Sequence, residues 1–233
     1  MEQEYKLHTL PAAFLLETWM PDAMVTGLNT YLDELMKQED RISHAGTLVG
    51  QIGHGQQLTM DHDDPRLNDF CQMAGRLATE YVNHFSSAVQ NAGTCKIDVD
   101  EVWSVHSYEG DYNPIHDHGT KSLMGISCTS WTKVPQQILD QPTAGSPEYS
   151  LYGASGDSDG CLAFNYGMNS LLDVQRLRPP QNTVITPKVG LFLMFPSWLQ
   201  HMVYPFEGEG ERRTVAANLN VWKVEEDGGR RPH

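Results

Sequence analysis

Two different spacings of apolar residues divide this chain near residue 96. Before that point apolar positions recur every three or four residues. After Pro21-Asp22, residues Val25, Leu28, Leu32 and Leu35 fall on one helical face. Pro21 suits the start of such a helix, where a missing N–H loses no bond. A longer stripe runs through Leu67, Phe70, Cys71, Ala74, Leu77, Ala78, Tyr81, Val82 and Phe85, with Asp63 or Asp64 placed to cap it and Pro65 to open it. One apolar face on each segment predicts helices that brace a sheet.

Beyond residue 96 short runs of Val, Ile, Thr and aromatic residues alternate with turn residues, which predicts strands at 97–108, 122–131, 161–165, 183–186, 191–195, 201–204 and 214–222. Strands in succession, with no helices between them, predict an antiparallel sandwich or barrel of the jelly-roll kind. The expected organisation is a single domain over 1–233, mainly β with flanking helices. Residues 1–95 form a largely helical support, 96–224 the β core, and 225–233 a frayed tail. The stretch 134–160, rich in Pro, Gly, Ser and Asp, is read as a lid or a variable insertion.

Composition narrows the function classes. The net charge of −14 argues against nucleic acid as partner, because phosphate contacts need clustered Lys and Arg. Four cysteines without a CxxC pair point to reduced thiols rather than a disulfide framework or a zinc knuckle. No run approaches the roughly 20 apolar residues that cross a bilayer. The apolar run from Leu10 to Leu16 lacks a basic lead-in and is followed by Glu17. A soluble, cytoplasmic protein is the expectation.

The chemistry concentrates in three places. In a strand, residues two apart share a face with Cα atoms roughly 6.5–7 Å apart, so His116 and His118 can reach one ion while Asp117 points away. A bulge would be needed to put Asp117 in the place of His118. His201 is the best third imidazole, and such a set suits Fe, Zn, Cu or Ni. Arg212 and Thr214 repeat the parity on a later strand, with Ala216 and Asn218 continuing that face. A buried arginine there needs an anion, and a dicarboxylic acid gripped by the guanidinium fork, with a hydroxyl added by Thr214, would supply it. The plainer reading is a salt bridge to Glu207, Glu209 or Glu211, and that is the expectation for Arg213, which points the other way. His106 shares a strand face with Tyr108, so the two border the pocket together or lie in the core together. Trp103, Trp131 and Trp198 are candidates for pocket walls, although aromatic residues more often serve a core.

The runs Tyr108-Glu109-Gly110-Asp111-Tyr112-Asn113-Pro114-Ile115-His116-Asp117-His118 and Gly190-Leu191-Phe192-Leu193-Met194-Phe195-Pro196-Ser197-Trp198-Leu199-Gln200-His201, with Arg212-Arg213-Thr214 after them, resemble the 2-oxoglutarate/Fe(II)-dependent oxygenases. They are most similar to members with a Phe-Pro-Ser-Trp segment before the distal histidine, in the neighbourhood of the prolyl hydroxylases, and the likeness spans about 103–221. The resemblance implies a double-stranded β-helix (jelly roll) holding Fe(II) through His116, His118 and His201. It implies that Arg212 takes the distal carboxylate of 2-oxoglutarate, with Thr214 beside it and Tyr108 as a second hydrogen-bonding group. It also implies that O2 is consumed, and that a peptide or small molecule is hydroxylated with release of succinate and CO2. One departure matters: most of the superfamily carries Asp or Glu where this chain has His118. That keeps open a cupin-like three-histidine dioxygenase or isomerase without an oxo-acid, and a non-enzymatic jelly-roll binding module.

Overall fold

The computed structural model describes residues 3–9, 13–44, 53–88, 95–122, 124–141, 158–167 and 182–224. Most of the stretch 134–160, and the tail from 225, lie outside them.

The apolar stripes become helices where their spacing predicts. Helix α1 spans Asp22–Leu35 with Pro21 at its N-cap, and buries Val25, Leu28, Tyr31 and Leu32. Asp64, rather than Asp63, forms the second cap: its Oδ1 accepts from the Arg66 backbone N–H at 2.9 Å. Pro65–Leu67 close one 3-10 turn before α2 runs Asn68–Ala88. Phe70, Ala74, Leu77, Ala78 and Tyr81 of α2 are buried.

All seven expected strands form, within a few residues of their predicted limits, and four more appear: β1 (Tyr5–Thr9), β2 (Phe14–Trp19), β3 (Gln56–Met60) and β5 (Asn113–His116). The others are β4 (Cys95–Ser107), β6 (Met124–Lys133), β7 (Leu162–Asn165), β8 (Asn182–Ile185), β9 (Leu191–Pro196), β10 (Gln200–Val203) and β11 (Arg212–Lys223). A four-residue helix, α3, spans Gln136–Leu139. Three of the added strands come from the first 95 residues, which therefore supply strands, β1 and β3 at the two edges of the sheet, as well as helices. β2 is buried on both faces, so no apolar–polar alternation marks it.

The strands make two antiparallel sheets, one of seven strands in the order β1-β2-β9-β6-β11-β4-β3 and one of four in the order β5-β10-β7-β8. This is a double-stranded β-helix with helices on its outer face. Period-two alternation assigns each side chain to a layer. On β9, Phe192 and Met194 join the core under α1 and α2, whereas Leu191, Leu193 and Phe195 join Leu162 and Phe164 of the small sheet. On β11, Val215, Ala217, Leu219 and Val221 face the helices. That leaves Arg212, Thr214, Ala216 and Asn218 on the side between the sheets.

Register brings the rest. Antiparallel pairing of β11 with β4 sets Arg212 against Ser107, Thr214 against Val105, Ala216 against Trp103 and Asn218 against Glu101. On the opposite face Arg213 pairs with His106 and Val215 with Ser104. In the small sheet His201 of β10 lies directly across from His116 of β5.

Candidate active site

A single cavity between the sheets is lined by His116, His118 and His201 together with Arg212 and Thr214. Each histidine is held from a different element. His116 ends β5 and His201 belongs to β10. His118 sits in the loop beyond β5, where its N–H donates to the Ser197 carbonyl at 2.9 Å. Ser197 N–H in turn donates to the Gly125 carbonyl at 3.0 Å. Gly125 leaves no room for a Cβ, which would strike the side chains of Thr120 and Ser197, so the loops pack backbone to backbone here.

The three imidazoles bring one nitrogen each to within 4.8 Å of one another. His118 Nε2 and His201 Nε2 are 3.1 Å apart. Two nitrogens held about 2.0–2.1 Å from one ion on neighbouring octahedral corners would lie about 2.9 Å apart, so the pair already has nearly that spacing. His116 Nδ1 lies 2.7 Å from the Pro114 carbonyl and His201 Nδ1 lies 2.9 Å from the Leu199 carbonyl. A carbonyl only accepts, so both Nδ1 atoms carry hydrogen and both Nε2 lone pairs face the cavity. Burial, reinforced by His116, lowers His118 to about 4. Burial, then His116 and His118, lowers His201 to about 3. Neutral, oriented imidazoles are what a transition-metal ion requires. Asp117 is exposed and points away.

Arg212 is 3% exposed. Its Nη1 donates to the carbonyls of Gly160 and Tyr204 at 2.9 and 3.2 Å, and its Nη2 to Ser107 Oγ at 3.2 Å. Burial lowers it to about 10, so it stays cationic at neutral pH. Among the described residues no carboxylate forms an ion pair with it. Its neighbour has the opposite fate. Arg213 donates to both oxygens of Glu211, at 2.7 and 2.9 Å, and pairs with Asp33 of α1 at 2.7 Å. Among the described residues three of Arg212's N–H groups are used, leaving two of the five that a guanidinium offers to donate to one carboxylate.

Other expectations fare differently. Trp103 and Trp131 line the cavity, and the Trp103 ring lies 5.3 Å from that of His118. Trp198 is 55% exposed and is not among the lining residues. Nor is Tyr108: it has the parity of His106, on the far face of β4, where burial and the nearby Glu211 carboxylate push its phenol up. Tyr112, four residues on, borders the cavity instead, as do Ser107 and Asn113. Ser107 was legible only through the register, since nothing in the sequence pairs it with Arg212. Tyr112 follows a tight turn in which the buried Asp111 carboxylate accepts the N–H groups of Gly53 and Tyr108, at 2.7 and 2.9 Å.

His106 belongs to the far face too. Its Nδ1 lies 2.6 Å from Glu211 Oε1 and its Nε2 3.0 Å from Ser104 Oγ. Burial pushes the Glu211 carboxyl up, but hydrogen bonds from His106 and Arg213 outweigh it and hold it at about 2. A carboxyl depressed in the folded state contributes stability above its ordinary pKa of about 4.3 and loses it as pH falls towards the folded value. At about 1.4 kcal/mol per unit the contribution is at most about 3 kcal/mol. Thermal melts between pH 5 and pH 2 should therefore fall less steeply in Glu211→Gln than in the parent, and equal slopes would remove this group from the acid response.

Among the described residues no helix is long and apolar enough to cross a membrane. No curated protein sequence matches the chain. Solved structures share its fold at low identity. A prolyl-4-hydroxylase from Pseudomonas putida superimposes with a TM-score of 0.55 at 11% identity, covering 90% of this chain and 93% of that one. HygX from Streptomyces hygroscopicus, solved with nickel and 2-oxoglutarate bound, gives 0.53 at 11% identity over 94% and 92%. A Trichoplax adhaerens prolyl hydroxylase, in complex with a hypoxia inducible factor peptide, gives 0.55 at 11% identity over 88% and 83%. A family model described as "Putative 2OG-Fe(II) oxygenase" matches residues 101–218, the span that carries all three histidines and the arginine. The chain belongs to this 2-oxoglutarate/Fe(II) oxygenase family, whose cofactors are Fe(II), 2-oxoglutarate and O2.

Proposed function

We propose that the protein hydroxylates a peptide or small-molecule substrate, with His116, His118 and His201 holding Fe(II) and Arg212 holding 2-oxoglutarate. One observation carries this reading: a fully buried arginine, with two N–H groups unused among the described residues, shares a cavity with three converging imidazoles. A cation buried in that way is unfavourable by several kcal/mol without an anion. When bound, Fe(II) supplies the activation of O2 that couples decarboxylation of 2-oxoglutarate to succinate and CO2 with oxidation of a C–H bond.

The chain's own residues orient and shield. Arg212 fixes the distal carboxylate, with the Thr214 hydroxyl beside it and Ser107, which accepts from Nη2, keeping the guanidinium plane in place. Tyr112 takes the role that the sequence resemblance assigned to Tyr108, since its side chain borders the same cavity. Trp103 and Trp131 wall the space next to His118 and keep bulk water away. The carbonyls of Pro114 and Leu199 hold the imidazoles of His116 and His201 with their lone pairs inward. A three-histidine site of the cupin kind would use the same ligands, but it gives Arg212 no anion, and that favours the oxo-acid.

The test is anaerobic reconstitution with Fe(II) and 2-oxoglutarate, followed by admission of air. Succinate should form slowly even without substrate, at a rate proportional to bound iron. Iron bound stoichiometrically with no succinate would point to the histidine-only alternative.

A further inference from the structure

We propose that Glu101 selects a positively charged substrate, its carboxylate receiving an ammonium or guanidinium group that lies against the face of Trp103. This rests on the oxygenase reading and adds the substrate class. On β4 the cavity is lined by Ser107, beside Arg212, by Val105 and by Trp103, beside His118; Glu101 has the same strand parity and follows just outside the lining, exposed at its rim. Each step is two residues, so Glu101 lies roughly 6.5–7 Å beyond Trp103, on the side of the metal site away from the co-substrate arginine. A molecule oxidised at the metal has to occupy that side.

The carboxylate is set in place from behind. Asn218, its cross-strand partner and 2% exposed, donates from Nδ2 to Glu101 Oε1 at 3.2 Å. Asn218 Oδ1 is itself fixed, accepting from Ser127 Oγ at 2.7 Å. Glu101 is exposed, and its Oε2 has no partner among the described residues. Its acidic neighbours are already engaged. Asp98 accepts from Asn220 at 3.1 Å and from the Trp222 indole at 2.6 Å, one on each oxygen, and Asp100 pairs with Lys121 at 2.5 Å. One oriented carboxylate with an open oxygen, two residues along the strand from an indole that lines the cavity, offers the two contacts that a cation makes, an ion pair and a cation–π contact. The net charge of −14 acts in the same direction at long range, drawing cations and repelling anions.

The test uses the full chain loaded with Mn(II) and 2-oxoglutarate without air, and reads how strongly the bound ion relaxes the protons of three matched probes. These are N-acetyl-lysine methylamide, its Nε-acetylated neutral form and N-acetyl-glutamate methylamide. The lysine probe should be relaxed roughly five- to tenfold more than the other two, the product of a rim ion pair and a cation–π contact. The preference should vanish in Glu101→Gln and pass to the glutamate probe in Glu101→Lys, with Mn(II) uptake and melting temperature held. Mn(II) uptake with equal relaxation of all three probes, with no relaxation of any, or with the preference intact in Glu101→Gln overturns this inference and leaves the oxygenase reading standing. Failure to take up Mn(II) sinks that reading, and this one with it.

Discussion

Arg212→Ala should raise the apparent 2-oxoglutarate constant by about 100-fold or more, while Arg213→Ala should chiefly lower stability. The two arginines are adjacent, similarly buried and identical in chemistry, so only strand parity separates them. Arg212 faces the cavity with two N–H groups unused among the described residues, and truncating one partner of a buried charge pair typically costs 2–5 kcal/mol, or roughly 30- to several thousand-fold in binding. Arg213 faces α1 and is already paired with Glu211 and Asp33. Its loss would leave Glu211 with His106 and Lys133 alone, a change of about 3–5 kcal/mol where a buried pair is broken. The measurements are 2-oxoglutarate titration by calorimetry for both variants and chemical denaturation for both. Arg212→Lys should fall between parent and alanine, because a point charge cannot reproduce the planar fork. Equal effects of the two alanine variants on 2-oxoglutarate would show that the co-substrate does not lie on the Arg212 face.

The second large effect is expected for His201→Ala, which should abolish stoichiometric Fe(II) or Mn(II) binding. His201 is the most enclosed of the three ligands, 6% exposed, and its Nε2 stands nearest to a second imidazole, that of His118. Removing it leaves two nitrogens on one side of an open cavity. Loss of a mere supporting group typically weakens metal affinity 10- to 100-fold, and loss of a ligand should exceed that. Asp117→Ala is the matched control: an exposed carboxylate beside two ligands, whose removal should leave metal uptake unchanged. Metal analysis after anaerobic reconstitution and desalting reads both. A His201→Ala protein that retains a full equivalent of metal, or an Asp117→Ala protein that loses it, would reassign the ligand set.

Much of this architecture was readable from periodicity. The spacing of Val25, Leu28 and Leu32 and the stripe from Leu67 to Tyr81 specify helices because one face of a 3.6-residue period must be buried. The seven main strands follow from clusters of β-branched and aromatic residues between turns. The strands that periodicity did not reveal carry little β signature of their own. β5 is four residues long and contains Pro114, and β3 begins with two glutamines. Such strands owe their state to the neighbour they pair with, so a local window holds no signal for them.

The site divides along the same line. Parity within one strand, which is local, separated Arg212 from Arg213, and that separation holds in the structure; His118 joins His116 from the loop beyond β5, where strand parity no longer applies. Parity also set His106 and Tyr108 on a common face, but which face became the cavity depended on what covers the other side of β4. The helices bury one side of the large sheet and the small sheet covers the other. Only that packing sends Tyr108 towards Glu211 and gives the cavity to Trp103, Val105 and Ser107.

By itself, then, the sequence determined the layers, the phase of each strand and the residue types able to bind a metal and an anion, because these depend on near neighbours in the chain. Tertiary structure alone decided which phases meet. The register of β11 against β4 placed Ser107 at Arg212 and Glu101 at Asn218, and the pairing of β10 with β5 set His201 across from His116. Register is a property of two strands distant in sequence, set by burial on both faces at once, and no single segment encodes it.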